Sequence, residues 1–202
     1  TTGADYTDES VRAHFRDLHF DDQIVRCVDR LKQLSRSGTL VFTRFVEDAA
    51  YVAGQIPGAA VVSADTPNDE RRGVIAGLKS GRIPVVANVG VLGVGFDYPA
   101  LSNVVLASPT MSLRKYYQQV GRCVRTCPGK ADAWVIDMVG LVKKFGRVED
   151  LELCCGPHET WFVKSGNRQL TNVYFGQPSA DRQRFVRRAF DRRRLTFAGR
   201  RG

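Results

Sequence analysis

Residues 38–62 of the chain read GTLVFTRFVEDAAYVAGQIPGAAVV and carry a clear structural pattern. The apolar run Thr39–Thr43 predicts a short buried strand. Residues 46–56 then place apolar side chains at helical spacing until a Pro-Gly pair breaks the pattern. Residues 59–62 form a second apolar run. The stretch therefore predicts a strand, a helix and a further strand in succession.

The same alternation continues toward both ends of the chain. Residues 21–34 predict a leading helix. Thr66 is predicted to cap another helix, with Pro67 at its first position and Asp69 in a capping box. Further strands are predicted at residues 83–87, 103–107 and 133–136, and a further helix at residues 112–124. This alternation predicts an α/β fold with a parallel sheet and helices on both faces, which binds ligands beyond the carboxyl ends of its strands.

The chain carries a net charge of +9, and the excess positive charge is concentrated toward the C-terminus. Residues 180–194 predict a basic helix, and the residues expected to contact a polyanion are Arg187, Arg188 and Arg193. Binding of this segment to a phosphate backbone would release counterions and weaken with salt. A solvated helix face without a ligand is an equally weighted interpretation of the same pattern.

Cysteine content and hydropathy argue against two classes of protein. The five cysteines include no C-x-x-C pair, which is untypical of a secreted disulfide framework. The residues that in principle suit zinc are Cys123, Cys127, Cys154, Cys155 and His158, but their spacing fits structural zinc sites poorly, and no metal site is predicted. No run approaches the roughly 20 apolar residues of a membrane span. We therefore expect a cytoplasmic protein without membrane contact.

Residues 118–125 read QQVGRCVR and contain the strongest functional motif, Q-x-x-G-R-x-x-R. Within a helix, Gln118 and Arg122 lie four residues apart and Arg122 and Arg125 three apart, so all three are expected on one face. Two guanidinium groups there would present planar forks that match phosphate oxygens. Solvated arginines on a basic protein are the alternative interpretation, so the motif gains its weight from its context.

A second candidate segment, residues 88–99, reads NVGVLGVGFDYP and follows a predicted strand. Its glycines, Gly95 among them, would let backbone N–H groups approach a phosphate or another backbone segment, and Asp97 would accept hydrogen bonds from a ribose. The segment lacks the G-x-G-x-x-G order of a dinucleotide fold. A nucleotide-dependent oxidoreductase is therefore the weakest interpretation.

In this order, the segments resemble the second RecA-like domain of superfamily 2 helicases, over residues 38–139. The matching segments are residues 38–45 for motif IV, 65–72 for the segment after the second strand, 88–99 for motif V and 118–125 for motif VI. The run Ser108-Pro109-Thr110-Met111-Ser112 is similar to phage and bacterial DNA-repair or restriction-type members. The resemblance implies the C-terminal motor domain of an ATP-dependent DNA helicase or translocase.

The resemblance also implies a role for each matching residue. Arg122 and Arg125 would be catalytic arginine fingers that reach the γ-phosphate of ATP, and Gln118 would help to position them. Gly95 and Asp97 would approach the nucleotide. The residues implied to contact the nucleic-acid backbone are Arg44, Asn88 and Thr110. ATP and Mg²⁺ would be bound mainly by an N-terminal RecA-like domain of the same polypeptide.

Two motor motifs have no counterpart in the sequence. Residues 128–130, Pro-Gly-Lys, lack the upstream glycine and the following hydroxyl residue of a G-x-x-x-x-G-K-[ST] loop. A D-E-A-D or D-E-x-H box is also absent from the sequence. Arginine fingers act only on a nucleotide that is already bound with its metal. This chain alone is therefore predicted not to hydrolyse ATP.

The predicted organisation has three parts. A linker and the leading helix occupy residues 1–37, the RecA-like domain residues 38–140, and an extension with the basic helix residues 141–202. Two alternatives to a helicase motor stay open at this point. One is translocation without strand separation, and the other is a stand-alone basic nucleic-acid-binding module without ATPase activity.

Overall fold

The structure is a computed structural model that describes residues 5–34, 38–92, 96–156, 160–171 and 173–174. The chain divides into two units, residues 1–150 and residues 151–202. The strands of the first unit are β1 (Thr39–Thr43), β2 (Ala60–Val62), β3 (Val85–Val89), β4 (Asn103–Ala107) and β5 (Trp134–Asp137). They form one parallel sheet in the order β2-β3-β1-β4-β5.

Strand β1 lies at the centre of this sheet. Its Thr39 pairs with Val85 of β3 on one side and with Asn103 of β4 on the other. Every residue of β1 and β4 is buried, as is typical of parallel strands covered on both faces. The α/β class and the RecA-like parallel sheet predicted from the sequence are therefore confirmed.

The described part of the first unit contains six α-helices and one 3-10 turn. The helices are α1 (Asp8–Asp17), α2 (Phe20–Gln33), α3 (Val46–Gln55), α4 (Asn68–Lys79), α5 (Leu113–Val120) and α6 (Leu141–Phe145). The 3-10 turn is Val148–Asp150. Helix α3 packs on β1, β2 and β3, α4 packs on β2 and β3, and α5 packs on β4.

Helices α1 and α2 belong to the core of this unit. Thr7 caps α1 by accepting a hydrogen bond from the N–H of Ser10 at 3.3 Å. Phe15 of α1 and Ile24 of α2 are buried in the same apolar cluster as Val41 of the central strand. The sequence predicts α2 but not α1, because α1 exposes most of its residues and buries only two apolar side chains. Residues assigned to a linker thus include a helix of the core.

Two helix boundaries differ from the prediction. Helix α4 begins at Asn68, and the hydroxyl oxygen of Thr66 accepts a hydrogen bond from the N–H of Ser63 at 2.9 Å instead of capping the helix. The predicted cap at Thr66 is therefore wrong. Helix α5 ends at Val120, four residues earlier than predicted, where Gly121 lowers the helix propensity.

A buried carboxyl group, Asp48 in the first turn of α3, makes the stability of this unit depend on pH. Burial, and next the charge of Asp21 in α2, raise the pKa of Asp48 to about 6. The folded state then holds this proton more tightly than the unfolded state does. The contribution of Asp48 to stability is therefore full below the unfolded pKa of about 4 and is lost as pH rises through about 6.

We expect Asp48→Asn to remove this loss of stability. At pH 8 the variant is expected to be more stable than the wild type by about 1–2 kcal/mol, and near pH 4 the two should be similar. Urea unfolding at both pH values measures the difference. The control is Asp69→Asn, because 88% of the Asp69 side chain is exposed. If Asp48→Asn and the wild type differ by the same free energy of unfolding at both pH values, the raised pKa of Asp48 is contradicted.

The second unit is antiparallel where it is described. Its strands are β6 (Leu151–Cys155), β7 (Thr160–Ser165), β8 (Arg168–Gln169) and β9 (Val173–Tyr174). Strand β7 pairs with β6, β8 and β9. The predicted basic helix at residues 180–194 lies outside the described residues. Across the described ranges, no helix is long and apolar enough to span a membrane, and no three His, Cys, Asp or Glu side chains are grouped to hold a metal ion.

Candidate functional site

The carboxyl ends of β1, β3 and β4 lie side by side, because these strands are parallel neighbours. A cavity of about 520 Å³ lies at this edge of the sheet. The polar residues in its wall include Arg44, Asn88, Ser108, Arg114, Lys115 and Gln118. Parallel sheets bind ligands at this edge, so the cavity is a candidate binding site.

Asn88, in β3, places a buried amide in the wall of this cavity. Its Oδ1 accepts a hydrogen bond from the N–H of Leu92 at 2.8 Å, which ties the glycine-rich segment to the strand. Between them, Gly90 adopts a φ of +73°, a left-handed conformation that favours glycine. The Nδ2 atom of Asn88 is buried and has no hydrogen-bond partner among the described residues. This atom is therefore an unused donor beside the cavity.

Helix α5 supplies the other wall of the cavity. Gln118 and Gln119 are half-buried, and the Oε1 atom of Gln119 is buried without a hydrogen-bond partner in the described part of the chain. Arg114 and Lys115 are exposed cations on the same helix. The cavity wall thus combines the cations Arg44, Arg114 and Lys115 with one carboxylate, Asp8, and with amide donors and acceptors. The excess of positive charge suits the phosphate backbone of a nucleic acid.

Arg44 directly follows β1, and 16% of its side chain is exposed. Its Nε and Nη2 atoms donate to Oδ1 of Asp8 at 2.9 and 2.8 Å. Its Nη1 atom donates to the carbonyl oxygen of Pro109 at 3.2 Å. Contacts with the start of α1 and with the segment after β4 therefore fix the guanidinium group at the carboxyl end of β1.

Thr110 follows β4 and is only 2% exposed. Its hydroxyl group donates to Oδ2 of Asp5 at 3.0 Å and accepts a hydrogen bond from the N–H of Ser112 at 3.0 Å. Ser112 is the N-cap of α5. The hydroxyl of Thr110 therefore links the start of this helix to the segment that precedes α1.

Arg122 lies just beyond the end of α5. The helix stops at Val120, and the N–H of Arg122 donates to the carbonyl oxygen of Gln119 at 3.2 Å in a tighter turn. This turn buries Arg122, whose Nη1 atom donates to the carbonyl oxygen of Phe96 at 2.5 Å. Burial, and next the charge of Arg125, lower the pKa of the Arg122 guanidinium.

Arg125 forms an ion pair with Asp97, and the side chains are 42% and 73% exposed, respectively. Lys130 holds the same two segments together. Its Nζ atom donates to the carbonyl oxygens of Pro99 at 2.9 Å and Arg125 at 3.0 Å, and also to that of Cys123. The glycine-rich segment and the Q-x-x-G-R-x-x-R motif are therefore neighbours in the folded chain.

The structure separates the predicted site residues into two groups. Arg44, Asn88 and Gln118 line the cavity, whereas Asp97, Arg122 and Arg125 meet at the contact between the two motif segments. The prediction that Gln118 shares one helical face with both arginines is wrong, because α5 ends before Arg122. The predicted residues that lie outside the described ranges are Gly95, Arg187, Arg188 and Arg193.

Several residues that contact these two groups were not predicted as site residues from the sequence. Lys115 carries a usable signal, since it lies three residues before Gln118 and on the same side of a helix. Lys130 follows a Pro-Gly pair, and nothing in the sequence indicates its carbonyl partners. Asp5 and Asp8 give no signal either, because Asp5 is separated from Thr110 by 105 positions.

Several known proteins are similar to part of this chain. A 51.5 kDa protein of a Lactococcus phage (isolate 7-9) is 29% identical over 125 residues, which are 60% of this chain and 27% of that protein. The DEAD-box ATP-dependent RNA helicase 7 of Oryza sativa subsp. japonica is 28% identical over 103 residues, 50% of this chain and 14% of that protein. The chain thus spans about a quarter or less of the length of these two relatives.

A solved fragment of an HsdR-type subunit of a type I restriction enzyme from Vibrio vulnificus YJ016 has the same fold. It matches with a TM-score of 0.61 at 21% identity, over 72% of this chain and 31% of that one. The family described as helicase conserved C-terminal domain matches residues 22–127, more than half of the chain. The chain therefore belongs to this family, the C-terminal RecA-like domains of superfamily 2 helicases.

Proposed function

We propose that this chain is the C-terminal motor domain of an ATP-dependent helicase or translocase and that its cavity binds the nucleic-acid backbone. The observation that supports this most directly is the buried Asn88 amide, whose Nδ2 atom has no partner among the described residues. An unused donor beside the cations Arg44, Arg114 and Lys115 suits a phosphate oxygen. The relatives are much longer than this chain, which supports a preceding RecA-like domain in the same polypeptide.

The segment around Asp97, with Arg122 and Arg125, is proposed to face the nucleotide. ATP and Mg²⁺ would be bound mainly by the preceding domain. ATP supplies the phosphoryl group, and Mg²⁺ supplies positive charge beside it. Arg125 is exposed and ion-paired, so its guanidinium can exchange Asp97 for a phosphate oxygen by side-chain rotation. Arg122 is anchored on the carbonyl oxygen of Phe96, which positions the segment, and Gly95 completes the proposed nucleotide contacts. Without a phosphate-binding loop, the chain alone is proposed not to hydrolyse ATP.

We propose DNA as the polymer, because residues 108–112 resemble restriction-type and DNA-repair members of the family. The basic residues Arg187, Arg188 and Arg193 are proposed to add a second, less specific contact through their charge. A stand-alone binding module that depends on this tail is the competing function. Its specific support is the concentration of positive charge in residues 180–202.

Asn88→Asp tests the proposed backbone contact. The new side chain keeps an acceptor for the N–H of Leu92 but replaces the Nδ2 donor with a carboxylate oxygen, which repels phosphate. We expect affinity for single-stranded oligothymidylate to fall about tenfold or more. Fluorescence anisotropy across a KCl series measures it, and circular dichroism checks that the variant is folded.

Asn68→Asp is the matched control, since it adds the same charge at an exposed position. Equal affinities for the two variants would contradict a role for Asn88. A truncation that removes residues 180–202 separates the two functions: loss of all binding would favour the tail-dependent module, whereas retained binding with a smaller salt dependence is expected for the motor domain. The same titration with oligouridylate compares DNA with RNA.

A further inference from the structure

An acidic segment, residues 5–8, lies before and at the start of α1. It contacts Arg44, at the carboxyl end of β1, and the segment that follows β4. Asp5 uses both carboxylate oxygens there. Its Oδ1 accepts a hydrogen bond from the backbone N–H of Met111 at 2.9 Å, and its Oδ2 accepts one from the hydroxyl of Thr110 at 3.0 Å. The ammonium group of Lys115 lies 3.4 Å from Oδ2, and Arg44 Nη1 lies 4.0 Å from the same atom.

The second carboxylate of this segment binds the adjacent guanidinium group. Asp8 accepts hydrogen bonds from two nitrogens of Arg44, and the carbonyl oxygen of Tyr6 accepts a third at 2.6 Å. The fork of Arg44 that would otherwise present paired donors to an anion is therefore filled by the chain itself. We call residues 5–8 the acidic strap.

The groups that hold Asp5 form a typical anion-binding set. They are a buried hydroxyl, a backbone N–H, an ammonium and a guanidinium, which are the donors that proteins direct at phosphate oxygens. Although burial raises the pKa of Asp5, the hydrogen bonds from Met111, Tyr6, Thr110 and Lys115 outweigh it and lower the pKa below the usual value. The site therefore favours a negative charge. Asp8, Arg44 and Lys115 all line the cavity, so the strap forms part of its wall.

We infer that Thr110, the N–H of Met111, Lys115 and Arg44 form a phosphodiester-binding site, and that Asp5 and Asp8 are its built-in competitors. This inference rests on the proposed function, because it names where the nucleic-acid backbone contacts the domain. A phosphate must displace the strap, so the measured affinity is the intrinsic affinity reduced by the fraction of molecules with an open site. The strap thus lowers the measured affinity of the chain for nucleic acid.

The test removes the strap carboxylates without changing the size of the side chains. We expect the variant Asp5→Asn with Asp8→Asn to bind oligothymidylate about tenfold more tightly than the wild-type chain. Both substitutions also make the net charge more positive by two. The control therefore combines Asp69→Asn with Glu149→Gln, two exposed positions, for an identical change of charge. Fluorescence anisotropy on the 202-residue chain measures all three proteins.

Thr110→Val provides a second test, and its result does not depend on the net charge of the chain, because the substitution leaves that charge unchanged. The hydroxyl binds Asp5 in the closed state and phosphate in the open state, so its removal should weaken binding more in the strap variant than in the wild type. If the double variant does not fold, Asp5→Asn alone carries the test. Removing Lys115 from the open site is expected to lower the slope of log affinity against log salt by about 0.7, as for one phosphate contact with single-stranded DNA.

The outcomes separate this inference from the proposed function. If the strap variant binds no more tightly than its charge-matched control, the inference is overturned while the motor domain stands. If Thr110→Val has the same effect in both backgrounds, the site at Thr110 is likewise excluded. If none of the proteins binds oligothymidylate or oligouridylate at low salt, backbone binding by this domain fails, and the inference fails with it.

Discussion

Replacing Arg125 with alanine in the complete polypeptide is expected to lower nucleic-acid-stimulated ATP hydrolysis by about a thousandfold, the usual contribution of an arginine finger. The side chain is partly exposed and makes an ion pair with an exposed partner, Asp97. Its removal should therefore leave folding nearly unchanged. The loss should fall on turnover, while the affinity for nucleic acid stays within about twofold.

The matched control is Arg72→Ala. Arg72 is also an exposed arginine in an ion pair, with Asp69 three residues away in α4. It lies outside both groups of site residues, so ATP hydrolysis should be unaffected. Steady-state turnover with saturating oligothymidylate compares the two variants. Preserved turnover in Arg125→Ala would remove the finger assignment.

Arg122→Ala is expected to abolish turnover to a similar extent, with an added cost in stability. Arg122 is buried and donates to the carbonyl oxygen of Phe96, so alanine leaves that acceptor unpaired and opens a cavity. The Arg122→Ala variant should therefore melt at a lower temperature than the Arg125→Ala variant, even though both lose turnover to a similar extent. Equal melting temperatures for Arg122→Ala and Arg125→Ala would contradict the structural role of Arg122.

The largest effect on stability is expected at Tyr116, in the middle of α5. Its side chain is 1% exposed, stacks on Phe145 with ring centroids 5.5 Å apart, and donates to the carbonyl oxygen of Gly146 at 2.9 Å. Tyr116→Ala should destabilise the first unit by about 3–5 kcal/mol, because a large cavity replaces the ring. The corresponding fall in Tm is about 10 °C or more.

Two variants calibrate this result. Tyr116→Phe keeps the ring but leaves the carbonyl oxygen of Gly146 without its donor, at an expected cost of about 1 kcal/mol. Tyr117→Ala removes the neighbouring tyrosine, which is 54% exposed, and should change stability little. Differential scanning calorimetry measures all three variants. A Tm for Tyr116→Ala within about 2 °C of that for Tyr117→Ala would contradict the packing described for α5.

The sheet was predictable because its strands have an unmistakable pattern. Strand β1 is a continuous apolar run, and the helix after it repeats its apolar residues at helical spacing until a Pro-Gly pair. Burial on both faces of a parallel sheet leaves this pattern in the sequence. Helix α1 shows less of it, because only Val11 and Phe15 of its ten residues are buried.

The arrangement of the site was less predictable than its residues. Motif spacing selects Arg122 and Arg125 but does not reveal that Arg122 is buried, because its hydrogen-bond partner Phe96 is distant in the sequence. The contacts of Asp5 and Lys130 are also tertiary. They join positions whose sequence neighbours carry no matching signal, and only the folded chain shows which carbonyl or hydroxyl group each one meets.

The strand order also has a consequence for synthesis on the ribosome. In the described sheet, β1 and β2 do not pair with each other, and β3 is the neighbour that both share. Within this sheet, β1 and β2 are translated before the other strands, so they leave the exit tunnel without a partner and wait for residues 85–89. Such long-range pairing slows folding and exposes apolar strands in the meantime. Helices α1 and α2 precede β1 in the chain, and in the folded chain their Phe15 and Ile24 share a buried apolar cluster with Val41 of β1.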